Sequence, residues 1–147
     1  MRRARLVETA RVLNSSSIHL LRSMREVDDL SGLTPPRLSA LSVLHFGGPQ
    51  PLGRLAAIEG VTPATMSKLV DGLAALGLAE RRPHPDSARM VVVAVTTEGS
   101  RLMAEAAERR IEVIVEALRE LPEDDQRAIT GATSAFAQLV QRLRGPR

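Results

Sequence analysis

The 147-residue chain has no cysteine, no tryptophan and no tyrosine, and its only phenylalanines are Phe46 and Phe136. Without thiols there is no disulfide framework, no thiolate zinc site and no oxidant sensing through sulfur. Proteins that hold single strands or RNA loops stack bases on aromatic side chains. Two phenylalanines cannot build such a platform, so any nucleic-acid partner is expected to be duplex. Lysine is almost missing as well, with Lys68 alone among 20 basic side chains. No apolar run approaches the ~20 residues of a membrane span. The basic start MRRARLVETARVL lacks the apolar stretch and small-residue cleavage site of a signal peptide. A cytoplasmic chain without a membrane partner is the expectation.

The signatures of catalysis are missing too. There is no GxSxG and no phosphate-cradling glycine pattern, and Ser15, Ser16 and Ser17 lack a His–acid partnership. His19, His45 and His84 are the only histidines, and no two are spaced i, i+4. No carboxylates accompany them in a ligand pattern. The expectation is therefore no enzyme, no metal and no cofactor.

What is present is arginine and helical periodicity. Net charge is only +3, yet residues 1–25 carry six Arg against Glu8 alone, while from Glu98 onward eight Arg face nine acids. Leu6, Ala10, Leu13, Ser17, Leu20, Leu21, Met24 and Val27 recur at three- and four-residue steps, the pattern of a long amphipathic helix. Ser31-Gly32 ends it. Thr34-Pro35 opens a second helix, with Thr as N-cap and Pro at the first position, where its missing N–H costs nothing. Leu38, Leu41, Val43 and Leu44 supply its buried side, and Gly47-Gly48-Pro49 stops it. A short helix from about Leu52 to Glu59, apolar at Leu55, Ala56 and Ile58, ends at Gly60.

The next stretch, VTPATMSKLVDGLAALGL, again opens on Thr-Pro. Met66, Leu69, Val70, Leu73 and Leu76 form its apolar side. Its outward first turns carry only Pro63, Ala64, Thr65, Ser67 and Lys68, where a surface helix usually bears long charged side chains. Residues 79–83 and the β-branched run Met90–Val95 then read as two strands joined by the turn HPDSA. Two further helices follow, one over 98–120 with Leu102, Ala106, Ile111, Ile114, Val115 and Leu118 on one face, and one opened by Pro122 and the acids Glu123, Asp124 and Asp125. Ile129, Ala132, Phe136, Leu139, Val140 and Leu143 are expected to be buried on the last.

A short helix, a glycine turn, a second helix and a hairpin make a helix-turn-helix with a β-wing. The second helix of such a unit inserts its N-terminal end into the major groove, about 12 Å wide. Small leading residues let the backbone approach. Thr62, Thr65 and Ser67 can bond base edges or phosphates, Lys68 can reach guanine or phosphate, and free N–H groups at the helix start favour phosphate. An ordinary Ala/Thr/Ser surface behind a good Thr-Pro start is the plainer alternative.

LGRLAAIEGVTPATMSKLVDGLAALGL and the closing VTTEG are the most specific pieces of a stretch, Leu38 to Gly99, that resembles the MarR-type winged helix-turn-helix regulators. The flanking helices agree in number and placement, so the resemblance covers nearly the whole chain. It implies a mainly α fold with a small β-wing. Residues 33–97 would form the winged helix-turn-helix, and 1–31 with 98–147 the helical dimerisation region, in one continuous compact fold. It further implies a homodimer on a near-palindromic operator. Many members are repressors released by a small aromatic or lipophilic effector held between the dimer helices and the DNA lobe. Carried over residue by residue, the groove readers are Thr62, Pro63, Ala64, Thr65 and Lys68, with Ser67 adjacent. Arg81 and Arg82 at the wing base are phosphate candidates, and Arg89 is the wing residue for the minor groove. The family wing usually reads Asp, one residue, Arg. Asp86-Ser87-Ala88-Arg89 has one residue more, so either Asp86 pairs with Arg89 across a longer tip or Ser87 takes the Asp position. His19, Arg22, His45 and Phe46 fall near the expected effector cleft; the plainer alternatives are surface or packing roles for the histidines, a solvated face for Arg22 and core packing for Phe46. The competing class is a winged-helix protein-interaction module that does not read DNA.

Overall fold

A computed structural model describes residues 2–84 and 87–144, without the side chains of residues 2, 87–90 and 144. Helix α1 spans Arg2–Asp29 and α2 spans Pro35–Gly47. Strand β1 (Gln50–Pro51), α3 (Leu52–Glu59) and α4 (Pro63–Ala75) follow, then β2 (Ala79–His84), β3 (Ser87–Val95), α5 (Thr97–Arg119) and α6 (Glu123–Arg144). The chain forms two compact units, Met1–Arg109 and Arg110–Arg147.

In the first unit, three helices close over a small antiparallel sheet of order β1-β3-β2. The core is aliphatic. Leu38, Leu41 and Leu44 of α2 meet Leu55 and Ala56 of α3, Met66, Val70 and Leu73 of α4, Val93 of β3 and Met103 of α5. Leu41, Leu44, Leu55 and Leu73 are fully buried, and each such side chain contributes about 1.5–3 kcal/mol by leaving water. The helix starts follow the local chemistry. Thr34 and Thr62 stand at extended N-cap dihedrals ahead of Pro35 and Pro63. Thr62 accepts from the Thr65 N–H at 3.2 Å, whereas the Thr34 side chain makes no capping bond. Gly60 ends α3 at φ 65°, ψ 30°, the left-handed region open to glycine. That reversal is the turn between the two helices of the motif.

Strand β1 lies outside the sequence expectation. Gln50 and Pro51 pair with Val93 and Val92, and buried Gln50 donates from Nε2 to the Gly47 carbonyl at 2.9 Å. Two residues are too few to show a strand period, so only the neighbouring strand defines them.

Three apolar rows differ from the sequence expectation. On α1, Leu6 and Leu21 are 61% and 64% exposed, and only Leu13, Met24 and Val27 of that row are partly covered. On α6, Ile129, Phe136, Leu139 and Leu143 are exposed and Val140 is half-buried. On α5, Met103 and Ala106 are buried, but Ile111 and Ile114 are exposed. Periodicity identified these faces correctly as apolar, but within each unit the described residues leave them exposed. Ile58 of α3 is likewise exposed.

Candidate nucleic-acid interface

Helix α4 is divided by its periodicity into three rows, because residues three and four apart are neighbours on a helix. Met66, Val70 and Leu73 face the core and are fully buried. Ala64, Lys68 and Gly72 make a second row, and Ser67 and Asp71 a third. The N-terminal end is open: Thr62, Pro63, Ala64, Thr65 and Lys68 are exposed and Ser67 is half-buried. Lys68 makes no ion pair or hydrogen bond among the described residues. The Thr62 hydroxyl lies 2.9 Å from that of Thr65 as well as capping its N–H. Thr62 therefore fixes the helix start, and its hydroxyl is largely occupied.

Each outward row receives an arginine from another element. Arg37 of α2 lies across Gly72: a Cβ built there would stand 2.3 Å from Arg37 Nη2. A glycine inside a helix costs roughly 0.5–1 kcal/mol relative to Ala, and here it makes room for that guanidinium. Arg81 of β2 crosses to the third row, donating from Nη1 to Asp71 Oδ1 at 2.6 Å and from Nη2 to Ser67 Oγ at 3.1 Å. Arg82 donates from Nε to Glu80 Oε1 at 2.6 Å. Of the two wing-base arginines, Arg81 is thus tied to α4 and Arg82 to its own strand. The side chain of Arg89 lies outside the described residues, as does Asp86, while the Arg89 backbone belongs to β3. Sequence reasoning missed Arg37 and also Arg54, an exposed α3 cation with no ion pair among the described residues. The mid-helix Gly72 was the available signal for Arg37.

The start of α5 is locked to the end of α4. The Thr96 hydroxyl donates to the Gly77 carbonyl at 2.6 Å and accepts from the Gly99 N–H at 3.0 Å. Its own N–H donates to Leu78 O at 3.0 Å. A Cβ on Gly99 would stand 2.1 Å from Leu78 O. The VTTEG sequence is therefore a cap and a backbone seat for α5. Beside it, Arg101 donates to Glu98 and Glu105. The Arg101 hydrogen bond holds the Glu98 carboxyl below the ordinary glutamate range.

The four effector candidates fall on two helices. His19 and Arg22 are exposed on α1. On α2, His45 is half-buried and sets its ring edge-on to Phe46 at 4.7 Å, and Phe46 is 74% exposed. Among the described residues no hydrogen bond, ion pair or ring contact joins the two pairs. No described helix is long and apolar enough to cross a membrane.

Two helices around the Gly60 turn, with the N-terminal end of α4 open and a hairpin packed beside that helix, define a winged helix-turn-helix. A family model for the MarR family matches residues 31–90. The chain is 32% identical over 128 residues to the uncharacterized HTH-type transcriptional regulator ML2140 of Mycobacterium leprae, covering 87% of this chain and 90% of that one. The transcriptional regulator Tm0710 of Thermotoga maritima superposes with a TM-score of 0.81 at 25% identity, over 93% of this chain and 96% of that one. The fold is also that of an S. aureus MepR variant bound to an oligodeoxyribonucleotide (TM-score 0.69, 15% identity, 89% and 96% coverage). NadR in complex with 4-hydroxyphenylacetate shares it too (TM-score 0.60, 18% identity, 85% and 89% coverage). The chain belongs to the MarR family of winged helix-turn-helix transcriptional regulators.

Proposed function

We propose that this regulator is a cytoplasmic, non-enzymatic homodimer that binds a near-palindromic duplex operator and acts as a repressor relieved by a small aromatic or lipophilic effector. One observation carries the DNA-reading part: the open end of α4 presents small hydrogen-bonding side chains and Lys68, which has no ionic partner among the described residues, while the opposite row is sealed in the core. Such an end fits a major groove, and Arg37, which lies across Gly72 of the same helix, and the exposed Arg54 of α3 are further cations available to phosphate. In the described structure Arg81 and Arg82 are already engaged. The fold relation to MepR bound to an oligodeoxyribonucleotide points the same way.

Homodimerisation is supported by the uncovered apolar rows of α1, α5 and α6. Residues 1–31 and 98–147 are assigned to that interface and 33–97 to the DNA lobe. A two-fold dimer presents its reading helices to half-sites about 34–36 Å apart. Effector relief is supported by the fold relation to NadR with its bound phenolic acid and by the exposed Phe46. The test is a gel shift on the duplex upstream of the chain's own gene, with a scrambled duplex as competitor. Retardation that survives scrambled competitor and weakens steeply with salt is expected. Equal loss to both competitors would leave a non-specific binder, and no retardation would favour a protein-interaction module. Adding phenolic acids to the retarded complex tests relief.

A further inference from the structure

Ser67 and Arg81 were both expected to touch DNA, but the structure joins them to each other. Arg81 is anchored by Asp71 at 2.6 Å, and its second nitrogen donates to Ser67 Oγ at 3.1 Å. Ser67 and Asp71 are i, i+4 neighbours on α4, so one guanidinium spans both from the wing strand. A serine hydroxyl has one proton to give and two lone pairs to receive. Arg81 fills one lone pair with a charged donor. A serine within a helix often gives its proton to the carbonyl four residues back. Here the Ser67 proton has no acceptor among the described residues.

We propose that Asp71 and Arg81 set Ser67 as a donor toward a base edge, and that Ser67 thereby specifies one position of the operator. This rests on the DNA-reading function proposed above. The guanidinium repels a further donor from Ser67 Oγ and polarises its O–H outward, since hydrogen bonds in a chain strengthen one another. In the major groove the matching acceptors are guanine N7 and O6, adenine N7 and thymine O4, whereas cytosine offers only an amino donor. Ser67 should therefore accept purines and thymine on the strand it faces and reject cytosine. Asp71 and Arg81 are positioning residues. Arg81 sits 37% exposed between its two partners, and in this role it holds Ser67 rather than a phosphate.

The test is selection from a randomised duplex library by the wild-type protein, Ser67→Ala, Ser67→Thr, Asp71→Asn and Arg81→Ala, each checked for an unchanged circular dichroism spectrum. Lys68→Ala serves as a control outside the triad. Wild type and Ser67→Thr should exclude cytosine at one position per half-site. The other three triad variants should flatten that position alone, with a loss on the selected duplex of about three- to tenfold. In Ser67→Ala the further change Arg81→Ala should have no added effect on the profile. The salt slope of Arg81→Ala should equal that of wild type, since removing a phosphate contact lowers it by about one. A Ser67→Ala profile identical to wild type overturns the proposal, as does a uniform loss over all sequences. So does an Arg81→Ala protein that keeps the cytosine exclusion or loses one unit of slope. These outcomes leave DNA reading intact, because the wild-type selection reports it independently of the triad, and Lys68→Ala should alter a different position or weaken all sequences alike. A wild-type protein that selects no sequence at all refutes the DNA-reading function itself.

Discussion

Lys68 and Gly99 are small signals in the sequence with opposite duties. Lys68 is the single lysine and lies exposed on the open row of α4, without an ionic partner among the described residues. Its expected role is contact with guanine or phosphate. Lys68→Ala should weaken operator binding by about 1–3 kcal/mol if the ammonium reads a base, with the loss concentrated on one sequence position in quantitative gel shifts. A loss equal on all duplexes assigns it to phosphate. Gly99 acts on the fold. Its missing Cβ leaves room for the Leu78 carbonyl, and the 2.1 Å approach allows no side chain. Backbone cannot yield as the tip of a flexible side chain can. Gly99→Ala should therefore cost about 1–3 kcal/mol in urea denaturation, as overpacking does. Unchanged stability would mean that α5 is not seated on the end of α4 as the structure has it.

Among the elements, those set by local chemistry were legible in the sequence and those set by distant partners were not. Thr62-Pro63 marks the start of α4 because the hydroxyl and the ring act within one turn, and Gly60 marks the end of α3 because only glycine takes its dihedrals cheaply. Strand β3 was legible from its β-branched run, and β2 as the segment before it across an intervening turn. Strand β1 was not, since its two residues are defined by Val92 and Val93 some forty positions on. The Arg81–Asp71–Ser67 triad was hidden for the same reason, although an i, i+4 Ser/Asp row facing an arginine-bearing strand is a readable hint. The cap offers an element-level test. Thr62→Ala removes the acceptor of the Thr65 N–H, and cap losses run about 0.5–2 kcal/mol. Thr62→Ser should restore most of it. Because α4 carries the reading end, the Ala variant should also bind operator more weakly in gel shifts, in step with its stability loss in thermal melts. Full binding despite the lost cap would show that the start of α4 is ordered by its neighbours alone.

For the whole molecule, the decisive feature is apolar surface on helices that the chain itself leaves uncovered. In the first unit α1 exposes Leu6, Val7, Leu20 and Leu21, and in the second unit the helical rows expose Ile111, Ile114, Ile129, Phe136, Leu139 and Leu143. Contiguous apolar patches beyond a few hundred Å² are rare on monomers and mark interaction sites. A second copy is the occupant that the proposed near-palindromic operator calls for. Introducing a charge should be more damaging than truncation here. Phe136→Asp would place a carboxylate in a seam that must exclude water, while an isolated chain would tolerate it on a surface where Phe136 is already 49% exposed. The expected result in sedimentation velocity is a wild-type dimer near 32 kDa, twice the 15.9 kDa chain, and a Phe136→Asp species shifted toward 15.9 kDa with helical content retained. The same variant should lose operator binding well beyond what any single groove contact explains, because two linked lobes gain roughly 10²–10⁴ in avidity that one lobe forfeits. A Phe136→Asp protein that stays dimeric and binds operator as wild type does would place the interface elsewhere. A wild-type protein that is monomeric at micromolar concentration, yet still retarded by operator, would remove the two-fold geometry from the proposed function and leave each winged lobe reading its site alone.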